Sequence, residues 1–112
     1  MNNTKPPAIS VRLSNTLAKA VQYQNGYFVP MNLIKGGQPN KKAIIECGVK
    51  VMRIHNFGIV SLKELCDFLE HYATEKQLKA WRNKWIAWMR KGKPSLFIDM
   101  RIIKKVMARF LV

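Results

Sequence analysis

The residues best suited to chemistry are three tryptophans among five arginines and lysines in AWRNKWIAWMRKGK, residues 80–93. Indole rings stack on nucleobases or fill a hydrophobic core, and the cations can pair with phosphates. The stretch therefore fits a nucleic-acid-binding surface, a membrane-surface helix or a core helix with solvated charges. At about 100° per residue, the large apolar side chains share one side of a helix. They are Leu78, Trp81, Trp85, Trp88 and Met89. We expect the tryptophans to face a core and the charges to face outward.

The outward charges form the expected binding surface. The chain has 20 Lys and Arg against 6 Asp and Glu, which gives a formal net charge of +14. The usual partner of such a surface is a polyanion, because each neutralised phosphate releases counterions. We predict a non-catalytic regulator or accessory factor that binds nucleic acid, with DNA favoured over RNA and a homodimer as one option. The predicted contact residues are Arg12, Lys79, Arg82, Arg90, Lys91, Lys93, Arg101, Lys104 and Lys105.

The acidic residues are segregated from most of these cations. Residues 1–45 contain no acid, and residues 76–112 contain Asp99 alone. The acids between them are Glu46, Glu64, Asp67, Glu70 and Glu75. This segregation predicts basic faces together with an acidic helix that pairs internally or faces elsewhere.

An acidic face of a larger protein is the alternative partner. A compact basic chain could dock there as a phage- or plasmid-type modulator or inhibitor, guided by electrostatic complementarity. Exposed aromatic side chains would then be the binding hot spots, and the sequence offers Trp81, Trp85 and Trp88. Buried tryptophans favour the nucleic-acid hypothesis, whereas exposed tryptophans favour this alternative.

Residues for catalysis or metal binding are few. His55, His71, Cys47 and Cys66 lack the paired spacing of zinc ligands. Gly36-Gly37 is not followed by the Gly-Lys-Ser/Thr of a phosphate-binding loop. Six acids and two histidines leave little material for general acid–base catalysis. We therefore expect no enzyme activity, no cofactor and no metal site.

The N-terminus and the cysteines indicate the expected cellular compartment. The opening MNNTKPPAIS lacks the apolar segment of a signal peptide, and no run of about 18 apolar residues could span a membrane. Cys47 and Cys66 lie within apolar helical patterns, as free buried thiols do in a reducing compartment. We expect a soluble, cytoplasmic protein that does not bind membranes.

The elements that position these residues are mostly helical. A length of 112 residues predicts a flexible arm over 1–8 and one small domain over 9–112, with a subdivision into 9–58 and 59–112 as an alternative. The expected class is mainly α, a bundle of four to five helices, with one short N-terminal β-strand as an option. Residues 9–13 alternate apolar and polar like a strand, yet apolar residues from Ile9 to Val21 also recur every four residues, as in a helix. Both alternatives end at Asn25-Gly26, before a connector over 26–39.

Helix-capping residues mark the later elements. Asn40 predicts the start of a helix over 41–54, and Ser61 with Glu64 predicts a capping box that opens the next helix. Thr74 with Gln77 predicts a second capping box, which opens the tryptophan helix over roughly 75–91.

A last helix is expected after a break in the basic turn Gly92-Lys93-Pro94. Ser95 is its predicted cap. Its apolar stripe consists of Leu96, Met100, Ile103, Met107 and Phe110.

Residues 9–21, ISVRLSNTLAKAV, resemble the opening of the ribbon-helix-helix DNA-binding family, with a strand, a serine cap and a helix. The later NKKAIIECGVKVM resembles the second helix of that family. The resemblance extends over residues 8–52 at most. It implies that two chains pair their strands and that Ser10 and Arg12, with Ala8 at the edge, read the major groove.

Residues 60–81 are similar to a helix-turn-helix, because two capped helices are separated by a short turn. This similarity implies that Gln77, Lys79 and Arg82 lie near the start of a recognition helix. An ordinary helical hairpin is the alternative.

Overall fold

A computed structural model describes residues 9–91 and 100–111 of the chain. Five α-helices lie in these residues: α1 (Val11–Ala18), α2 (Lys41–Cys47), α3 (Ile59–Tyr72), α4 (Glu75–Arg90) and α5 (Met100–Leu111). Two antiparallel hairpins pair β1 (Val21–Gln24) with β2 (Tyr27–Pro30) and β3 (Ile34–Lys35) with β4 (Gln38–Pro39). The predicted mainly α class is confirmed. The predicted arm, the break at Gly92–Pro94 and the Ser95 cap lie outside the described residues.

Helix α1 occupies the stretch that the sequence left open between strand and helix. Ser10 is its N-cap, and the Leu13 backbone N–H donates to Ser10 Oγ at 3.1 Å. Leu13 and Leu17, one turn apart, are both fully buried. The helix alternative is therefore confirmed for Val11–Ala18, and the strand alternative is wrong. The strand that the ribbon-helix-helix resemblance implies is absent from this described stretch. Leu13, Thr16 and Leu17 are buried while Val11 is exposed, and this spacing fits a helix rather than the alternation of a strand.

The predicted helix to Asn25 is wrong, because α1 ends at Ala18 and a hairpin follows. Asn25 and Gly26 have φ angles of +52° and +87°, and two left-handed residues make the tight turn that suits twisted strands. The Met31 N–H donates to the Ala20 carbonyl at 3.0 Å and closes the base of the hairpin. Residues 26–39, predicted as a connector, thus contain β2, β3 and β4.

Gly48 interrupts the predicted helix over 41–54. The Asn40 cap is confirmed, since the Ala43 N–H donates to its Oδ1 at 3.3 Å. At Gly48 the chain turns to φ +58° and continues as a 3-10 helix, Gly48–Arg53. A Cβ on this residue would lie 2.9 Å from Lys84 Cδ and 3.3 Å from Lys84 Cβ. The continuous helix is therefore wrong, because the left-handed backbone at Gly48 ends α2, and the Lys84 side chain leaves little room there for a Cβ.

Gly48→Ala is expected to lower the free energy of unfolding by about 2–4 kcal/mol, since backbone strain and the clash with α4 act together. Gly36→Ala is the matched control. Its φ of +60° is nearly the same, but no atom lies within 4 Å of the added Cβ, so a loss of about 1 kcal/mol is expected. Urea denaturation of both variants measures the difference, and equal losses would contradict the close approach.

The start of α3 differs from its predicted capping box. The helix begins at Ile59 after Gly58, and Ser61 is buried in its first turn. Glu64 instead accepts hydrogen bonds from the Ser10 backbone N–H and from Ser10 Oγ, the latter at 3.0 Å. The Ser61–Glu64 box is therefore wrong, because the carboxylate of α3 stabilises the start of α1.

The Thr74–Gln77 capping box of α4 is confirmed. The Gln77 N–H donates to Thr74 Oγ1 at 3.1 Å, and the Thr74 N–H donates to Gln77 Oε1 at 2.9 Å. This reciprocal pair fixes where α4 begins and hence which of its faces is buried.

One hydrophobic cluster runs through the fold, with members on both sides of residue 58. Helix α4 packs on α2 and the 3-10 helix, and α5 packs on both α3 and α4. The fully buried side chains include Leu17, Ile44, Leu65, Trp81, Trp85, Ile103 and Met107.

Candidate nucleic-acid interface

The tryptophan face of α4 points into the core, as the helical wheel predicts. Trp81 and Trp85 have 0% of their surface exposed, and Trp88 is half-buried. Their rings pack edge to face, with centroids 5.6 Å apart for Trp81 and Trp85 and 5.8 Å apart for Trp85 and Trp88. Trp81 and Trp85 therefore hold α4 in place and offer no surface to a partner.

The opposite face of α4 is polar and exposed. Lys79, Arg90 and Lys91 are all exposed there. Arg82 lies on the flank and is half-buried, and its Nε has no hydrogen-bond partner within the described chain. Lys79 and Arg90 are therefore better placed than Arg82 to meet a phosphate, and Lys93 lies outside the described residues.

Helix α5 likewise has a buried apolar face and an exposed basic face. Ile103, Met107 and Phe110 are buried, whereas Arg101, Lys104 and Lys105 are exposed on the other side. Lys63 of α3 lines the same shallow cavity as Lys105, so α3 adds a cation that was not predicted. Six of the predicted contact residues are exposed on α4, on its C-cap Lys91 or on α5, and we call them the basic helix surface: Lys79, Arg90, Lys91, Arg101, Lys104 and Lys105.

The acids of α3 are engaged within the fold. Arg109 Nη1 lies 2.7 Å from Asp67 Oδ1 and 3.2 Å from Glu70 Oε2, and Glu64 binds Ser10. Burial opposes the charged form of Arg109, but the hydrogen bonds and charges of Asp67 and Glu70 outweigh it and raise the pKa of the guanidinium. The acids of α3 thus bind Arg109 and Ser10, and they belong to a different helix from the exposed cations of the basic helix surface.

Arg12 lies apart from that surface, in a cleft of about 850 Å³ between α1, the first hairpin and the loop after the 3-10 helix. Lys19, Arg53 and His55 line the same cleft. None of its described lining residues comes from α4 or α5, and none is an acid. The structure therefore brings Arg12 together with cations that were not predicted as contact residues.

An exposed aromatic hairpin borders this cleft. Tyr23 and Phe28 are 70% and 73% exposed and face each other across the strands, with ring centroids 5.4 Å apart. Val21 and Phe28 also line the cleft. The most exposed aromatic side chains of the described residues are therefore on the hairpin, whereas Tyr72 of α3 is 38% exposed. Asn25-Gly26 is the sequence signal for the hairpin turn.

The two cysteines are free, and burial makes both poor nucleophiles. Cys47 is half-buried and Cys66 is buried, with its thiol 3.4 Å from the Met107 sulfur. Burial raises the pKa of Cys47 to about 11 and that of Cys66 to about 12. Both thiols therefore stay protonated at neutral pH.

At pH 8, iodoacetamide is expected to alkylate the folded protein at least about 100-fold more slowly than the urea-unfolded chain, because a pKa raised by two units leaves about 100-fold less thiolate. Mass spectrometry of timed samples measures both rates. Fast labelling of either cysteine in the folded protein would contradict the burial.

No group of three His, Cys, Asp or Glu side chains in ranges 9–91 and 100–111 could hold a metal ion. Within the same residues, no helix is both long enough and apolar enough to cross a membrane.

The helices of the helix-turn-helix similarity are present as α3 and α4, joined at Ala73 and Thr74. Lys79 is exposed near the start of α4, but the Gln77 side chain is engaged in the capping box. No protein-family model, curated protein or solved structure was found to match the chain.

Proposed function

We propose that the protein is a non-catalytic nucleic-acid-binding protein that serves as a regulator or accessory factor, with duplex DNA as the partner of the basic helix surface. The cations of α4 and α5 would contact phosphates along the backbone. Such contacts give orientation and salt-sensitive affinity but read little base sequence.

The observation that carries the proposal is the separation of charge in the fold. Glu64, Asp67 and Glu70 are bound to Ser10 and Arg109, whereas Lys79, Arg90, Lys104 and Lys105 are exposed on helices whose other faces are buried. A predominantly cationic surface on rigid helices, with Glu75 as the one acid within α4 and α5, attracts a polyanion and fixes its position.

The burial of Trp81 and Trp85 supports this proposal over the acidic-protein alternative, because these two side chains have no exposed surface for a partner protein. Trp88, half-buried, is the remaining tryptophan of the predicted hot spots. The raised pKa values of both thiols agree with a non-catalytic role.

Recovery of nucleic acid from a cell lysate tests the proposal. Tagged protein is expected to retain DNA that DNase removes, together with any proteins held through that DNA. The triple variant Arg90→Glu, Lys104→Glu, Lys105→Glu is expected to retain little. A stoichiometric protein that survives nuclease treatment, with no DNA recovered, would favour the acidic-protein alternative and overturn the proposal.

A further inference from the structure

We infer that the first hairpin and the cleft beside it bind an unpaired segment of a DNA strand. Its bases stack on Phe28 and Tyr23, and its phosphates contact Arg12 and Lys19. This inference rests on the proposed function and adds a second surface to it, with a different form of nucleic acid as its ligand.

The first hairpin has one exposed apolar face. The strand register pairs Val21 with Pro30 and Tyr23 with Phe28, so these four side chains share one face of the two-stranded sheet. All four are exposed. Tyr27, 74% exposed, belongs to the other face, because it pairs with Gln24. Two large rings lie open on one face where a small protein would ordinarily bury them.

Positive charge lies beside that face. Phe28 and Val21 line the same cleft as Arg12, Lys19, Arg53 and His55, and no carboxylate is found among its described lining residues. Its volume of about 850 Å³ is within the usual range for a site that holds a small molecule, so the cleft has room for a nucleotide. Aromatic rings at the edge of a basic groove are the two components of single-strand-binding surfaces.

An unpaired nucleotide strand matches this arrangement of rings and charge. A nucleotide carries a flat aromatic base and an anionic phosphate within one residue length, which matches a ring beside a cationic cleft. In a duplex the bases already stack on one another, and their faces are closed to a protein ring. The rings of Phe28 and Tyr23 can therefore reach base faces only in an unpaired strand.

The hairpin is also held firmly enough to act as a platform. Ala20 before it and Leu33 after it are buried in the core, and the Met31 N–H donates to the Ala20 carbonyl. The left-handed pair Asn25-Gly26 fixes the turn and the register. The backbone that carries the rings is thus fixed before a ligand binds, which reduces the entropy lost on binding.

Binding of a fluorescein-labelled oligo(dT) of about 12 nucleotides, measured by anisotropy, tests the inference, since single-strand sites span about 4–16 nucleotides. Phe28→Ala is expected to weaken binding by about 5- to 140-fold, the loss typical of one base–aromatic stack. Tyr27→Ala is the matched control, because it removes an equally exposed ring from the other face of the same hairpin. It is expected to change affinity by no more than about twofold.

Two further variants separate stacking from general apolar contact and from loss of structure. Phe28→Tyr keeps the ring and is expected to bind like the original protein, whereas Phe28→Leu keeps an apolar side chain and is expected to bind as weakly as Phe28→Ala. Arg12→Gln with Lys19→Gln is expected to reduce the slope of log affinity against log salt by about 1.4, at about 0.7 per phosphate contact.

A duplex of the same length separates this inference from the proposed function. Phe28→Ala is expected to leave duplex affinity unchanged within about twofold, because paired bases do not reach the ring. If oligo(dT) binding is insensitive to Phe28 while duplex binding stays salt-dependent, the hairpin inference is wrong and the proposed function stands. If neither form of DNA binds, both are wrong. The hairpin inference would also be wrong if oligo(dT) does not bind and an acidic protein binds equally well to Phe28→Leu and to the original protein.

Discussion

Trp85→Ala is expected to lower the free energy of unfolding by about 3–5 kcal/mol, the largest single-residue loss that we predict. Trp85 is fully buried and packs edge to face against both Trp81 and Trp88. Its removal leaves a cavity where α4 meets the rest of the core. Because small domains are stable by about 5–15 kcal/mol in total, the variant is expected to unfold well below the denaturant midpoint of the original protein.

Trp88→Ala is the matched control in the same helix. Trp88 is only half-buried, so its loss is expected to be smaller, about 1–2 kcal/mol. Urea denaturation followed by far-ultraviolet circular dichroism compares the two without relying on tryptophan fluorescence. A Trp85→Ala cost of less than about 1 kcal/mol would contradict a packed tryptophan core.

The triple variant Arg90→Glu, Lys104→Glu, Lys105→Glu is expected to lose about 500-fold or more of its affinity for duplex DNA at about 0.1 M salt. This loss follows if each cation contacts one phosphate, and the salt slope would fall by about 2.7. Stability is expected to change little, because all three side chains are exposed and none of them belongs to the hydrophobic core. Anisotropy titrations of a labelled duplex measure the affinity.

A second triple variant, Lys35→Glu, Lys42→Glu, Lys50→Glu, controls for total charge. It alters exposed lysines on other elements, and either set of reversals takes the formal net charge from +14 to +8. If only overall charge matters, the two variants lose affinity equally. If the basic helix surface contacts phosphates directly, the first variant loses at least about tenfold more duplex DNA affinity than the second.

Patterns carried by several residues of one element predicted the helical part of the fold. The inward tryptophans of α4 follow from the spacing of Trp81, Trp85 and Trp88, and the Thr74–Gln77 capping box fixes the first turn. These features depend on neighbours within one helix, so a single sequence contains the information for them.

The wrong predictions depend on contacts between distant segments. Glu64 caps α1, 54 residues away, instead of its own helix, and no local pattern could indicate this. Gly48 breaks its helix with a left-handed φ and lies against the Lys84 side chain, and this contact depends on how α4 docks. The hairpin is different, because Asn25-Gly26 is a local turn signal that fits both a hairpin turn and the end of a helix.

In the candidate site, too, features within one helix were predictable and features that join distant segments were not. The exposed cations of α4 and α5 follow from the helical wheel, with Arg82 placed less openly than predicted. The grouping of Arg12 and Lys19 with Arg53 and His55 comes from the packing of two separate segments. Sequence spacing does not indicate such a cluster, because its members are up to 43 residues apart in the chain.

The central claim is that exposed cations of the folded protein bind nucleic acid through phosphates. The most direct test is the dependence of duplex DNA affinity on salt concentration for the unaltered protein. A slope of log affinity against log salt of about −3 or steeper is predicted, which corresponds to at least three neutralised phosphates at about 0.9 each. A slope near zero, or no binding to duplex DNA at low salt, would contradict the claim.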